Sequence, residues 1–285
     1  MRYKKLTIVG VGLIGGAVGI EVKNKNIAET VWGWGRKKKH LNIAIKKGAC
    51  DRVTTNLKQA VNKSDFIVLA TPPEIIKKQL AEIKPYMKKN TLVIDVGSVK
   101  QTIVETAQKY LASVPAEFVG CHPMAGSEKT GVKNTYSKMF EGAPCIVAKT
   151  EFNTRQAIFR IKNFWEKLGC KVIVAGPAEH DLMVAFVSHL PHIIASTLIN
   201  STYENIENEK KVKQMSGPSF RELTRFGAAS EELWSQIYLE NKPAVLKAIR
   251  VLKENLVKFE KILKKENVNK MKKLLKKARL KREEL

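Results

Sequence analysis

Four stretches of this 285-residue chain combine side chains and spacings that suit chemistry. The first is Gly10-Val11-Gly12-Leu13-Ile14-Gly15, directly after the apolar run Leu6-Thr7-Ile8-Val9. In such a pattern the first glycine serves a tight turn, the second lets the backbone approach a pyrophosphate, and the third allows close helix–strand packing. A helix opening there offers free N–H groups and its dipole to phosphates. Gly10, Gly12, Leu13, Ile14 and Gly15 are therefore expected to bind a dinucleotide, with Thr71 at the end of a later strand. The second stretch is His122-Pro123-Met124-Ala125-Gly126-Ser127-Glu128-Lys129-Thr130-Gly131, just past another strand. A histidine at that position suits removal of a hydroxyl proton while the adjoining carbon loses hydride. The third is Ser188-His189-Leu190-Pro191-His192; its histidines share a helical face if Pro191 is accommodated, and with no third ligand evident no metal is expected. The fourth runs from Gly217 to Phe226 and sets Arg221 and Arg225 at i and i+4. Guanidinium groups suit bidentate carboxylate recognition, although on these residues alone a surface salt bridge to Glu222 or Glu231 is the simpler reading.

The cofactor choice turns on one position. About 20 residues past Gly15, where an acid would accept hydrogen bonds from the ribose of NAD, stands Gly35, followed by Arg36 and Lys37. A glycine there makes room for a 2′-phosphate, and the two cations suit pairing with it. The expectation is NAD(P)+, with NADP accommodated; the alternative has Arg36 stacked on the adenine and Lys37 to Lys39 solvated.

Elements that could position these groups follow from apolar patterning. Strands are expected at 6–9, 30–34, 66–70, 92–96, 118–121, 145–148 and 172–174, with helices between them. Strands apolar throughout, alternating with helices, predict a parallel sheet covered on both faces. After Gly176-Pro177 the strands stop and helical segments run on, broken at Gly217-Pro218 and Pro243. The expected fold is α/β: a Rossmann-type doubly wound parallel sheet over residues 1–176, then an all-helical substrate-binding and dimerisation domain over 177–285. Past Pro243, Val245, Ile249, Leu252, Leu256, Phe259 and Leu263 form a heptad seam. It spans fewer than three heptads, which suits packing in the helical core of a homodimer.

Composition narrows the class. At 44% hydrophobic and 27% charged, the chain has material for a sizeable core and is not globally disordered. No apolar run is expected to reach the ~18 residues of a membrane span. Five glycines between Gly10 and Gly19 argue against a signal-peptide core. Lys and Arg exceed Asp and Glu by 24, and residues 242–285 alone hold sixteen basic and five acidic side chains. That tail lacks the aromatic interleaving of single-strand binders, so nucleic acid is not the expected partner. Cys50, Cys121, Cys145 and Cys170 show no paired spacing and read as buried thiols in a reducing cytoplasm.

Taken together the motifs resemble the prephenate dehydrogenase family, the tyrosine-branch enzymes that include arogenate dehydrogenases. The resemblance rests on the glycine turn, Asp95-Val96-Gly97-Ser98-Val99-Lys100, the His122 to Glu128 stretch, Ser188 to His192, Phe220 to Arg225, and Leu233-Trp234 with Glu240-Asn241-Lys242. It implies that His122 bonds the ring 4-hydroxyl and accepts its proton, and that Ser98 holds that hydroxyl or the nicotinamide. It further implies that Arg225 binds a substrate carboxylate and that His192 lines the pocket with His189 in support. Glu128 would sit at the mouth, and Trp234 near the site from this subunit or its partner. Gly35 departs from the family's common acid, which puts strict NAD preference in doubt. The implied reaction is oxidation and decarboxylation of prephenate, with arogenate as the alternative substrate. A β-hydroxyacid or imine dehydrogenase is the nearest rival, and would place a catalytic lysine on the second domain.

Overall fold

Two four-residue runs, Phe66–Leu69 and Leu92–Asp95, are buried at every position. Such runs have no polar face to turn to water and belong in the middle of a sheet covered on both sides. The computed structural model, which describes residues 2–114, 116–126 and 130–284, places them there. Along the first domain the order is β1 (Tyr3–Val9), α1 (Leu13–Asn24), β2 (Ala28–Trp34), α2 (Lys38–Lys46), β3 (Arg52–Thr54), α3 (Leu57–Val61), β4 (Phe66–Leu69), α4 (Pro73–Ile83), β5 (Leu92–Asp95), α5 (Gln101–Leu111), β6 (Glu117–Pro123), β7 (Pro144–Ala148), α6 (Arg155–Leu168) and β8 (Lys171–Ala175). The eight strands lie in the order β3-β2-β1-β4-β5-β6-β7-β8.

Strands β1 to β6 pair in parallel, with Val9 beside Leu69 and Leu69 beside Asp95. One core, with Ile8, Val18, Phe66 and Trp165, covers one face; a second, with Ile67, Ile76, Leu80 and Ile103, covers the other. The doubly wound sheet thus departs from the all-parallel expectation at one seam: β7 runs antiparallel to β6, with His122 opposite Ile146. The reversal returns the chain at Pro144 beside Pro123 and Met124, at the end of β6 where His122 emerges. The connection between the two strands buttresses the glycine turn, since Thr135 Oγ1 donates to the Leu13 carbonyl at 3.0 Å. β3 and α3, not expected from the apolar pattern, are short and half-exposed, so neither carries an apolar run.

Beyond Gly176 the described elements are helices: α7 (Pro177–Val184), a π turn (Ala185–His189), α8 (Leu190–Asn205), α9 (Glu209–Met215), α10 (Pro218–Thr224), a 3₁₀ turn (Arg225–Ala228), α11 (Glu231–Glu240), α12 (Lys242–Lys264) and α13 (Val268–Glu283). Pro177 to Asn205 is continuous for 29 residues, and its most apolar 18-residue stretch has a mean hydropathy of 1.7, long and apolar enough by composition to cross a membrane. This corrects the expectation that no run reaches that length. Two of its polar side chains, His180 and Asp181, are nevertheless bonded to the sheet domain, as the site below shows. The π turn accommodates Pro191, which has no N–H to give and would crowd the carbonyl one turn back in a regular helix. Along the heptad seam, Val245 is buried and Ile249 and Leu252 pack on the core around Ala185 and Leu190, whereas Leu256, Phe259 and Leu263 are exposed.

Two contacts seat the helical part on the sheet. Glu240 at the end of α11 accepts from Lys77 Nζ of α4 and, at 2.7 Å, from Thr102 Oγ1 of α5. Ile237 of α11 is buried in the core under α4 and α5.

Candidate active site

The carboxyl ends of β1, β4, β5 and β6 open on one cleft of about 650 Å³, closed on its far side by the π turn, the 3₁₀ turn and α11. It sits where the strand order switches direction between β1 and β4, the place at which open α/β sheets bind ligands. The sheet side contributes Leu13, Ile14, Thr71, Ser98 and His122; the helical side contributes Ser188, His192, Arg225 and Trp234. Trp234 therefore belongs to the same chain as His122.

The glycine turn has the form of a phosphate cradle. Gly10 has φ +100°, and a Cβ on it would lie 2.6 Å from Thr71 Cγ2 and 2.7 Å from the Ala70 carbonyl oxygen. A Cβ on Gly15 would collide with the Gly10 carbonyl, whereas at Gly12 it would meet nothing within 4 Å. The backbone is thus packed tight beneath the turn and open above Gly12. α1 starts there with no side-chain cap and no acid in its first turn, leaving N–H groups for an anion. These residues fit a dinucleotide pyrophosphate. Gly35, Arg36 and Lys37 follow β2, and both cations are exposed away from the cleft lining.

His122 is oriented by a chain that the sequence did not single out. Asp181 Oδ1 accepts the Lys100 backbone N–H at 2.7 Å and Oδ2 accepts that of Gln101 at 2.9 Å, both at the start of α5. His180 Nδ1 lies 2.7 Å from Asp181 Oδ1, and His180 Nε2 lies 2.8 Å from His122 Nδ1. A carboxylate only accepts, so the His180 proton sits on Nδ1. His180 Nε2 is then an acceptor, and His122 Nδ1 donates to it. The remaining nitrogen of His122, Nε2, carries no proton. Burial, then His180 and the Lys100 ammonium, push His122 well below the ordinary histidine pKa. The side chain is therefore a neutral base at physiological pH, held in one tautomer.

The same strands lock the backbone around it. Lys100 and Asp95 form a wholly buried ion pair. Asp95 also accepts the Gly97 N–H at 2.8 Å, beside Ser98, and the Cys121 N–H at 3.3 Å, beside His122. Lys100 thus serves twice: its ammonium neutralises Asp95 and its backbone N–H grips Asp181.

On the helical side, His192 stacks on Trp234 with centroids 3.5 Å apart and planes 24° apart. Arg225 lies over Phe226, its guanidinium carbon 4.5 Å from the ring centroid. Burial lowers the His192 pKa, with Arg225 acting in the same direction. His189, expected beside His192, turns away: it is 1% exposed and does not line the cleft. Asn241 Nδ2 bonds it instead, at 3.2 Å to His189 Nδ1, and also donates to the Asp181 carbonyl at 2.8 Å. Ser188, four residues before His192, takes the cleft position. Arg221 is exposed and donates to the Ser216 carbonyl. Glu128 lies outside the described residues. Among those described, no group of three or more His, Cys, Asp or Glu side chains is arranged to hold a metal.

Family models match the chain on both sides of this cleft: residues 18–174 fit the prephenate dehydrogenase nucleotide-binding domain and residues 176–277 its dimerization domain. The chain belongs to the prephenate dehydrogenase family. Within that family it is 32% identical over 254 residues to the prephenate dehydrogenase of Lactococcus lactis, covering 89% of this chain and 69% of that one. It is also 32% identical over 246 residues to the cyclohexadienyl dehydrogenase of Zymomonas mobilis, covering 86% and 83%. A prephenate dehydrogenase from A. aeolicus, solved in complex with hydroxyphenyl propionate and NAD+, superposes with a TM-score of 0.93 at 27% identity, over 100% of this chain and 99% of that one. The family's Rossmann-like sheet and helical C-terminal domain are both present here.

Proposed function

We propose that this chain oxidises prephenate with decarboxylation, giving 4-hydroxyphenylpyruvate and carbon dioxide with reduction of NAD(P)+. The observation that carries this reading is the single cleft shared by an unprotonated His122 Nε2 and the Arg225 guanidinium. Bound nicotinamide supplies the hydride acceptor. His122 takes the proton of the ring 4-hydroxyl as hydride leaves the carbon that bears it, and Ser98 steadies that oxygen or the nicotinamide. The developing ketone is conjugated to the ring carbon bearing a carboxylate, so loss of carbon dioxide delivers two electrons to a ring that becomes aromatic. The protein has to orient and polarise rather than supply a further electron sink. Arg225 pairs with a substrate carboxylate, and His192, braced by Trp234, shapes the pocket beside it. His189 supports them from below.

Arogenate differs from prephenate by an amino group in place of the side-chain oxo group. A cyclohexadienyl dehydrogenase at the same identity as the prephenate enzyme favours keeping it as a second substrate. Both NAD+ and NADP+ are proposed as cofactors, since Gly35 leaves room and Arg36 and Lys37 supply charge. A homodimer is proposed through the helical domain, where Leu256, Phe259 and Leu263 form an exposed apolar row beyond the chain's own core. Steady-state assays of prephenate and arogenate, each with NAD+ and NADP+, test the reading. Reduction of cofactor with release of carbon dioxide from prephenate is expected; no turnover of either cyclohexadiene overturns it.

A further inference from the structure

A turn made of glycine holds its ligand through backbone alone, so the nearest polar side chain has unusual weight. Here that side chain is Thr71, whose methyl packs against Gly10 and which lines the cleft. Its Oγ1 donates to the amide oxygen of Gln79, in the second turn of α4, at 2.7 Å. Gln79 is 2% exposed, and its Nε2 is buried with no hydrogen-bond partner. A buried amide nitrogen without an acceptor loses its hydration and regains nothing, and orphaned N–H groups are rarer in folded proteins than under-used carbonyls.

The hydroxyl of Thr71 has one proton and two lone pairs. While that proton points inward at the Gln79 oxygen, Thr71 offers the cleft only lone pairs. Turning the Gln79 amide by half a revolution reverses the chain. Nε2 then donates to Thr71 Oγ1, the orphaned nitrogen is satisfied, and the Thr71 proton is released toward the cleft. That arrangement is favoured when an oxygen stands in the cleft to receive the proton. A dinucleotide at the glycine turn brings such oxygens in its phosphates and ribose hydroxyls.

We propose that Gln79 is a positioning residue for the cofactor: it holds Thr71 as a hydrogen-bond donor to a dinucleotide oxygen beside Gly10. This rests on the nicotinamide reading above. The test is calorimetric titration of NAD+ and NADP+ into the full chain and its variants, with a thermal melt of each to verify folding. Thr71→Val and Gln79→Met are each expected to weaken binding about three- to tenfold, the scale of one hydrogen bond. Thr71→Ser should keep near-original affinity. The double variant Thr71→Val/Gln79→Met should bind no more weakly than the worse single one, because both act through one chain. A Gln79→Met variant that melts lower yet binds as before, or losses that simply add in the double variant, overturns the proposal. Failure of the unaltered chain to bind either dinucleotide overturns both this inference and the nicotinamide reading, and differs in needing no substitution to appear.

Discussion

At the scale of single residues, the base is made by what stands behind it. His122 alone would exchange between two neutral tautomers and a cation; Asp181 and His180 leave it one form, with Nε2 open to the cleft. Replacing His122 by Asn is expected to lower kcat by about 10²–10⁴, the usual contribution of a general base. Asp181→Asn is a finer probe. An amide there keeps its oxygen for the Lys100 N–H and His180 Nδ1 only by setting its NH₂ against the Gln101 N–H, and it removes the negative charge that fixes the His180 proton on Nδ1. His122 is then no longer held firmly in one tautomer. The expected result is a loss of kcat larger than any change in KM, with a pH–rate profile displaced from that of the unaltered chain. An unchanged profile would count against the relay. His122 was legible in the sequence because it ends an apolar strand and opens a loop rich in glycine. His180 and Asp181 were not, since they sit in a short helix next to Glu179 and bond to residues 58 to 81 positions earlier. A buried His-Asp pair in such a helix needs partners elsewhere, and that need was the signal to follow.

Elements were legible where burial is two-sided and obscure where it is not. β4 and β5 show as unbroken apolar runs, while β3, with three residues at the sheet edge, shows nothing comparable. The antiparallel seam at β7 leaves no mark in its own residues, because Cys145 to Ala148 are as buried as the residues of a parallel strand. The π turn before Pro191 is another case: heptad or helical spacing alone would set His189 and His192 on one face, yet only His192 reaches the cleft. The end of β2 carries a prediction of its own. A Cβ on Gly35 would lie 3.1 Å from Leu41 Cδ2, close contact with the tip of a flexible side chain. Gly35→Asp should therefore fold with a small shift of Leu41 and set a carboxylate where a 2′-phosphate would lie. The ratio of kcat/KM for NADP+ to that for NAD+ should drop by about tenfold or more, the factor that 1.4 kcal/mol represents. An unaltered ratio would place the 2′-phosphate away from Gly35.

For the whole molecule, the joint between sheet and helices is made of groups that tolerate no added proton. Burial lowers the pKa of His122, His180 and His189, the last from 6.5 to about 4. In the unfolded chain each takes up a proton near 6.5. Between that value and the folded value the unfolded state binds more protons, so stability rises with pH there; it is fully present above about 6.5 and is lost as pH falls. For His189 alone the span corresponds to about 3 kcal/mol. The local reason is plain: protonation at Nδ1 would set an N–H against the Asn241 amide, breaking the link from the π turn to the α11–α12 junction and, through the Asp181 carbonyl, to α7. Acid also adds charge to a chain already at +24, and that repulsion acts in the same direction. The two contributions separate by substitution and salt. Urea unfolding at pH 7.5, 6, 5 and 4.5 should show a midpoint that falls steadily below 6.5 in the original chain. His189→Asn should start from a lower midpoint at pH 7.5 and fall less steeply, because one of the proton-linked groups is gone while the net charge is nearly the same. High salt should shrink the general repulsion in both and leave the difference in slope, since a buried histidine is poorly screened. Equal slopes in the two proteins would mean that the joint does not depend on a neutral His189.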